Sequence, residues 1–306
     1  MRRLLSVYFV PCALFVTCLY ALVRSGSLSG RGNWSGVVPS GWSGVVGSLV
    51  LIGSGSAVLG MLLHPFQVRA VRVLEGYWDR WPVTARLAGV LTEVQRRRWQ
   101  ALYERGHESV ADTAGAPGVR ADALRRLAAV PPVDVLLPTA LGNALRTGEL
   151  SAGERYGLGT LSAWPRIYMQ VSRRLSRALD STRDTLDMAV NLCWSFLATA
   201  VLLTIALYDE PGLRWLPPAA LLLAAVAYKG AVTAAQAYSG LMHIVFDLHR
   251  FDLLEALHLP LPDRHREKDL FEQVSAYLAG EQVLDLMYAH RDVSSGADDG
   301  ERPAQA

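Results

Sequence analysis

The chain has 306 residues, of which 51% are hydrophobic and only 19% are charged, whereas charged residues make up about a quarter of a typical soluble domain. Its formal net charge of +2 excludes a strongly basic nucleic-acid binder. All three cysteines lie in apolar runs, so we expect neither a disulfide framework nor a cysteine-ligated metal.

Four uncharged or nearly uncharged runs predict transmembrane helices, because about 20 apolar residues cross the hydrocarbon of a bilayer. They are residues 4–23, 44–63, 188–208 and 215–238. The first run is too long for a cleavable signal and predicts a retained anchor. Small residues of the second, among them Ser56 and Gly60, have the spacing that favours close packing against another helix. The fourth carries Lys229, which predicts that this helix leaves the bilayer early.

Basic residues are concentrated on one side of these spans. The arginines that precede the first span, follow the second and precede the third are Arg2, Arg3, Arg69, Arg72, Arg80, Arg173, Arg174, Arg177 and Arg183. The two short connections on the other side carry Arg24, Arg31 and Arg214. Because cytoplasmic loops are enriched in basic residues, both termini are expected in the cytoplasm. Only Lys229 and Lys268 are lysines, a bias typical of GC-rich bacteria, so we expect a bacterial plasma membrane.

The fold class that follows is an all-α integral membrane protein with four transmembrane helices and helical cytoplasmic parts. We expect an N-terminal transmembrane hairpin (1–64), a cytoplasmic arginine-rich helical domain (65–187), a second transmembrane hairpin (188–240), a cytoplasmic helical segment (241–290) and a disordered tail (291–306).

Helical patterns separated by proline and glycine define the cytoplasmic parts. The predicted helices are residues 67–80, 84–112, 121–130 and 141–148. Pro165 is suited to a first helical turn, and residues 166–187 after it are expected to run straight into the third span. The fourth span is expected to continue as residues 241–259. Asp263 would then cap a last helix that ends near Gly280 or continues to His290.

The charge of the central domain indicates its surroundings. Residues 65–185 contain 18 arginines and no lysine against 12 acidic residues, a balance of +6. Such a balance suits a domain beside anionic lipid headgroups, although a solvated helix face would look similar. The expected partners are therefore the bilayer, anionic headgroups, and either a protein partner or a second copy of the chain, but no nucleic acid.

One candidate site is a polar cluster made of Glu75, Arg166, Asp247 and Arg250. Glu75 lies among basic and aromatic residues after the second span, where it would line a groove or pair with a nearby arginine. Asp247 follows His243 by four residues, the spacing of two helical metal ligands. No third ligand has a matching spacing, so salt bridging is the favoured interpretation, and no metal is expected.

A second candidate set consists of polar residues in or near the spans. Asp187 and Asn191 lie on one helical stripe that leads into the third span, and Lys229 is the single basic residue of the fourth. Ionisable residues are costly in lipid and indicate function. A Lys229–Asp187 pair would gate an ion path. Alternatively, Lys229 extends its ammonium group to the cytoplasmic headgroups.

Several motifs resemble an uncharacterised family of bacterial membrane proteins of the actinobacterial type, which has no established function. The stretches that carry the resemblance are Leu74-Glu75-Gly76-Tyr77-Trp78, Leu137-Pro138-Thr139-Ala140-Leu141-Gly142-Asn143, Arg155-Tyr156-Gly157, Trp164-Pro165-Arg166 and Phe246-Asp247-Leu248-His249-Arg250-Phe251. The chain departs from the family pattern at Ala140, where an arginine is expected. Each motif also has a structural explanation, since Thr139 is suited to capping a helix and Gly157 to ending one.

No complete catalytic motif is present, and the glycines of the second span follow no strand, so neither a phosphate loop nor a cofactor is expected. The favoured hypothesis is a non-enzymatic scaffold or regulatory component whose cytoplasmic helices bind a protein partner. Two alternatives remain. One is an oligomeric channel or membrane effector, and the other is a membrane-embedded enzyme that acts on a lipid-linked substrate.

Overall fold

The computed structural model describes residues 5–30, 32–39, 41–78, 82–107, 116–281, 286 and 288. Within these ranges the chain is helical and contains no β-strand. The α-helices are α1 (Val10–Ser25), α2 (Trp42–Leu63), α3 (Gln67–Glu75), α4 (Pro82–His107), α5 (Ala116–Ala128), α6 (Ala140–Ser151), α7 (Thr160–Tyr168), α8 (Arg173–Ala206), α9 (Leu216–Ala256) and α10 (Glu267–Ala279).

Four helical stretches are long and apolar enough to cross a membrane, which confirms the four predicted spans. They are Val7–Ser25, Trp42–Glu75, Arg173–Ala206 and Pro211–Ala256. The shortest, Val7–Ser25, has 19 residues, which is close to the about 20 residues that a bilayer requires. The protein therefore has the architecture of a multi-pass membrane protein.

Small residues bring α1 and α2 together, as the sequence predicts. Ser56 is fully buried, and Gly60 packs against Tyr8 at the start of the first span. Further along the pair, the hydroxyl groups of Tyr20 and Ser48 share a hydrogen bond of 2.6 Å. The contacts of Gly60 and Ser56 explain why larger side chains are missing at these positions.

The helix that leads into the third span begins later than predicted, because Pro165 lies inside the short helix α7 instead of starting the long helix. The long helix α8 begins at Arg173, after Ser172, whose Oγ accepts a hydrogen bond from the amide of Leu175 at 3.4 Å. Such a serine cap starts a new helix. From Arg173 onwards the prediction of one continuous helix into the span is confirmed.

The fourth span is part of one 41-residue helix, α9, which continues through Lys229 to Ala256. Pro217 and Pro218 occupy its first turn, where the missing N–H groups would have had no helical partner. The last helix, α10, starts after Arg266 and not at Asp263, and it ends at Gly280 with φ 90°. The expected continuation towards His290 and the expected disordered tail lie outside the described residues.

The helix α3 ends earlier than expected, and the predicted end of α4 at residue 112 lies outside the described residues. The helix α3 stops at Glu75 because Gly76 adopts φ 98°, a left-handed conformation that closes a helix. The helix α4 begins at Pro82, in a position that favours proline, and ends at His107. Pro131 and Pro132 separate two helices as predicted, but Gly118, which was expected to lie in a break before the helix at 121–130, is inside α5.

The chain divides into two compact units, which are Met1–Gly148 with Arg177–Leu241, and Glu149–Ser176 with Met242–Ala306. Residues 65–187, expected to form one domain, contribute to both. The core of the first unit joins α6, α8 and α9 through Leu141, Ala144, Leu186, Val190, Ala231, Ala234 and Ala235. In the second unit the fully buried residues include Ile167, Phe246, Phe271 and Val274.

Candidate functional site

One face of α8 carries polar side chains into the first unit. Asp187, Asn191, Trp194 and Ser195 follow one another at helical spacing and therefore share this face. Trp194 Nε1 donates to the carbonyl oxygen of Ala70 in α3 at 3.2 Å. Ser195 Oγ donates to the carbonyl oxygen of Pro11 in α1 at 2.7 Å. These bonds hold α8 against two other helices.

Asn191 donates to a carbonyl group whose α-helical donor is removed by a proline. In an α-helix the amide of residue 11 would donate to Val7, but Pro11 has no N–H. A π-helical turn, Leu5–Phe9, precedes this proline. Asn191 Nδ2 supplies the donor, at 3.0 Å from the carbonyl oxygen of Val7. Polar side chains of neighbouring helices allow proline in membrane spans in this way.

Asp187 is 7% exposed and accepts a hydrogen bond from Gln67 Nε2 at 3.3 Å. Lys229 instead lies on an exposed face of α9. A Lys229–Asp187 ion pair, one of the two interpretations of Lys229, is not among the contacts of the described residues. Of the three candidate intramembrane residues, Asp187 and Asn191 thus share one surface of α8, and Lys229 lies elsewhere.

The same face of α8 forms one wall of a half-open cavity of about 320 Å³. Its other walls come from α1, the end of α2 and the start of α3. The residues that line it are Tyr8, Pro11, Cys12, Phe15, Leu59, Leu63, Phe66, Gln67, Ala70, Asn191, Trp194, Ser195 and Ala198. The lining is mostly apolar, with a few polar groups supplied mainly by the hydrogen-bonded residues of α8 and by Gln67.

In the second unit, a cluster of charged and aromatic side chains surrounds Asp247. Its Oδ1 accepts hydrogen bonds from Arg155 and from the hydroxyl of Tyr156, the latter at 2.6 Å. The Arg155 and Asp247 side chains are 37% and 35% exposed, so solvent reaches the pair. Partial desolvation opposes the charge of Arg155, but the hydrogen bond to Tyr156 and the carboxylate of Asp247 outweigh it and raise the pKa of the guanidinium.

The loop between α6 and α7 positions Arg155 and Tyr156. A short 3₁₀ turn, Glu154–Tyr156, ends at Gly157 with φ 83°. The buried hydroxyl of Thr160 accepts from the amide of Gly153 at 2.9 Å and donates to the carbonyl oxygen of Glu149 at 2.7 Å. These bonds fix both ends of the loop, so Arg155 and Tyr156 face α9 in a defined conformation.

His243 joins this cluster one helical turn before Asp247. Its Nδ1 lies 2.9 Å from the carbonyl oxygen of Ser151, and since a carbonyl only accepts, Nδ1 carries a proton. Its Nε2 lies 3.0 Å from Arg155 Nη1, which can only donate, and 3.4 Å from Asp247 Oδ2. The imidazole therefore lies between the guanidinium of Arg155 and the carboxylate of Asp247.

Arg250 connects the cluster to α10. Its Nε donates to Glu267 Oε1 at 2.8 Å, and its guanidinium lies 4.4 Å from the ring centre of Tyr156 and 4.3 Å from that of Phe251. The pair is well shielded, since Arg250 is 17% and Glu267 20% exposed. The partner of Arg250 is thus Glu267, 17 positions further along the chain.

The four residues of the predicted polar cluster are divided between the units. Asp247 and Arg250 are in contact, because Arg250 Nη1 donates to the carbonyl oxygen of Asp247 at 2.5 Å. Arg166 belongs to the same unit and donates to the carbonyl oxygen of Ser162 at 2.7 Å. Glu75 belongs to the other unit.

The motif that contains Glu75 packs against the motif around Thr139. Thr139 Oγ1 donates to the carbonyl oxygen of Glu75 at 2.7 Å and accepts from the amide of Gly142 at 3.0 Å, so it caps α6 as predicted. A Cβ atom on Gly142 would lie 2.1 Å from the same Glu75 carbonyl oxygen. Asn143 closes the preceding loop with bonds to the amide and carbonyl of Leu137. These two motifs are thus joined by structural contacts.

Sequence reasoning missed Arg155 and Tyr156 as partners of Asp247. The residues Arg155 and Asp247 are 92 positions apart, so no local spacing relates them. The available signal was the Arg155-Tyr156-Gly157 motif. Among the described residues, no group of three histidine, cysteine, aspartate or glutamate side chains is placed to hold a metal ion.

The fold and these sites define a class, an all-α protein with four helices suited to crossing a membrane. No protein family, curated protein or solved structure matches the chain. The resemblance to an uncharacterised bacterial family therefore stays a prediction.

Proposed function

We propose that this chain is a multi-pass protein of a bacterial plasma membrane, with cytoplasmic termini, that acts as a non-enzymatic scaffold or regulatory component. Its cytoplasmic helices bind a protein partner. The arginine distribution of the sequence supports the orientation. The observation that carries the partner binding is an exposed row of aliphatic side chains on α4.

This row, called the α4 seam below, consists of Val83, Leu87, Val90 and Val94. Their exposed fractions are 77%, 50%, 63% and 39%, which is high for four aliphatic residues on one helix. They are separated by four, three and four positions, the spacing of the contact residues of a coiled coil. At 3.6 residues per turn, the seam covers about 60° of the helix surface.

The width of the seam favours a helix as the occupant over the bilayer. A helix that lies in a membrane interface or on a protein core has an apolar face of about 100° or more, and interfacial helices add aromatic residues to it. The seam is narrower and purely aliphatic. Such a stripe matches the side chains of a single partner helix.

The helix α5 packs on the C-terminal end of α4, on the side opposite the helical phase of the seam. Leu124 of α5 lies against Gly106, where a Cβ atom would be 2.9 Å away, and Arg120 Nε donates to the carbonyl oxygen of Gly106 at 3.0 Å. Ala88, which has the same helical phase as Gly106, is 5% exposed. The buried side of α4 therefore faces away from the seam, which is exposed.

Charge complementarity indicates the chemistry of the partner. By helical phase, the exposed Arg86 and Arg97 lie on one side of the seam and Arg98 lies on the other. Glu93 partly balances Arg97, at 3.2 Å. A partner helix with acidic residues beside its apolar stripe would complement this surface, whereas a second copy of α4 would bring arginines together.

A photo-crosslinking amino acid at Val90, in the full chain in its native membrane, tests this proposal. The same probe at Val119 of α5, which is 61% exposed and off the seam, serves as the control. We expect a protein adduct from position 90 but not from 119. Leu87→Glu should reduce the adduct by about tenfold, the change that 1.4 kcal/mol of lost affinity produces. The combined change Arg86→Glu and Arg98→Glu should weaken it too.

Three outcomes would contradict the proposal. They are adducts with lipid alone, adducts with a second copy of the chain alone, and a protein adduct that survives both seam changes. A lipid adduct would assign the seam to the membrane surface, and a self-adduct would make it a homodimer contact.

A further inference from the structure

We infer that the cavity between α1, α2, α3 and α8 binds a single hydrocarbon chain of a membrane amphiphile. This inference is independent of the α4 seam and rests on the four apolar helices crossing a bilayer. It assigns a ligand class to a surface that none of the contacts described above fills.

The chemistry of the walls selects an apolar ligand. None of the thirteen described residues that line the cavity is charged, so these walls offer no oppositely charged partner for a phosphate or ammonium group. Aromatic and aliphatic residues dominate, among them Phe15, Leu59, Leu63 and Phe66. The volume of about 320 Å³ is at the lower end of the about 300–1,000 Å³ range of ligand pockets. A slender chain fits this volume better than a bulky ring system or a headgroup.

The cavity is elongated along the helices. It extends from Tyr8, in the turn before α1, to Phe15 of α1 and from Asn191 to Ala198 of α8, seven residues along each, or about 10 Å at 1.5 Å per residue. The two helices run side by side in this region, because Asn191 bonds Val7 and Ser195 bonds Pro11. An elongated space between parallel helices matches a linear chain.

The two ends of the cavity differ in polarity. Tyr8, Gln67 and Asn191 lie at one end, and Phe15 and Ala198 lie at the other. The bond from Asn191 to Val7 places the start of the first span and this part of α8 at the same level. The chain should therefore enter with its methyl end towards Phe15 and leave its ester or carboxyl end near Asn191.

The hydrogen bonds around the cavity keep it open. Trp194 is fixed by its bond to Ala70, and the Asn191 and Ser195 bonds set the position of α8 against α1. Protein interiors contain few voids of this size, because an empty one loses dispersion contacts along its whole lining. In a bilayer the neighbouring medium is hydrocarbon, so a lipid chain and not water restores those contacts.

The test uses the full chain in nanodiscs that contain a phospholipid with a diazirine group near the end of its acyl chain, and in a second arm a free fatty acid with the same group. After illumination, cross-linked peptides are mapped. We expect labelling of α1 and α8 around Phe15 and Ala198 that saturates and is displaced by unlabelled lipid. Labelling of the exposed face of α9, at Leu222 and Val226, should not saturate.

Ala198→Phe places a ring in the apolar end of the cavity, and Ala225→Phe makes the same change on an exposed face of α9 outside it. The first should lower the cavity labelling by about tenfold, equivalent to 1.4 kcal/mol, and the second should leave it unchanged. Labelling in one arm only identifies the amphiphile as phospholipid or fatty acid. Non-saturable labelling of the parent protein in both arms would overturn the inference, and this result does not depend on the folding of any variant. Cavity labelling that is unaffected by Ala198→Phe would overturn it as well.

Discussion

Replacing Asn191 by leucine should destabilise the protein, and the loss should depend on Pro11. The change keeps the shape of the side chain but removes the donor 3.0 Å from the carbonyl oxygen of Val7. A hydrogen bond between membrane helices contributes about 0.6–1.7 kcal/mol, and a buried carbonyl left without a donor costs about 1–3 kcal/mol. We therefore expect the free energy of unfolding to fall by about 1–2 kcal/mol.

In the Pro11→Ala background, the new backbone N–H of residue 11 can donate to Val7. Asn191→Leu should then cost about 1 kcal/mol less than in the parent protein, an amount that a double-mutant cycle measures. The assay is reversible unfolding in bicelles by titration with a denaturing detergent. Thr204→Val provides the control, because the Thr204 hydroxyl bonds Ala200 of its own helix at 2.7 Å. Thr204→Val should change the free energy of unfolding by the same amount with proline or alanine at position 11. Additive effects of Pro11→Ala and Asn191→Leu, within about 0.5 kcal/mol, would refute the reasoning.

Two further predictions concern packing and ion pairs. Gly142→Ala should cost about 1–3 kcal/mol, because its Cβ would lie 2.1 Å from the Glu75 carbonyl oxygen. Gly89→Ala, which has open space around it, should stabilise α4 by about 0.5–1 kcal/mol, and thermal unfolding compares the two. Asp247→Ala should cost less than about 1 kcal/mol, since both members of its pair with arginine are more than a third exposed. Arg250→Ala should cost about 1–3 kcal/mol, because its ion pair with Glu267 is shielded and its contacts with two aromatic rings are lost. Equal losses of stability for Asp247→Ala and Arg250→Ala would contradict this prediction.

The spans were predictable because the signal for them is local. A run of about 20 apolar residues is visible without knowing what it packs against, and the structure confirms all four. The ends of helices were predicted less accurately. Gly76 closes α3 in a left-handed conformation, which a glycine after a helical pattern can indicate. The prediction extended this helix past Gly76 to residue 80, because the break was assigned to Pro82 instead of this glycine.

The predicted start of α8 was wrong for a related reason. Pro165 is favourable in a first turn, but it occurs near the end of α7, whose first residue is Thr160. The true start is set by Ser172, which caps the amide of Leu175. Serine was the stronger helix-start signal at this point, and proline was given priority over it.

The contacts between distant residues could not be predicted from one sequence. Arg155 meets Asp247 because a loop and a helix separated by 92 positions pack together. The rotation of α9 about its axis places Lys229 on an exposed face, and hydropathy does not determine this rotation. Asn191 was noticed as polar, but its role follows only once the first and third spans are known to be neighbours. The orientation of the termini and the identity of a partner stay predictions.

The bond from Asn191 to Val7 also has a consequence for biosynthesis. The two residues are 184 positions apart, and a ribosome adds about 5–20 residues each second, so the first span exists for about 10–40 s before its donor is made. During that interval Pro11 leaves the Val7 carbonyl without its helical partner at the start of a hydrocarbon-embedded helix. The Asn191–Val7 bond can therefore form only after α8 has been synthesised, so this contact between the first and third spans is made late.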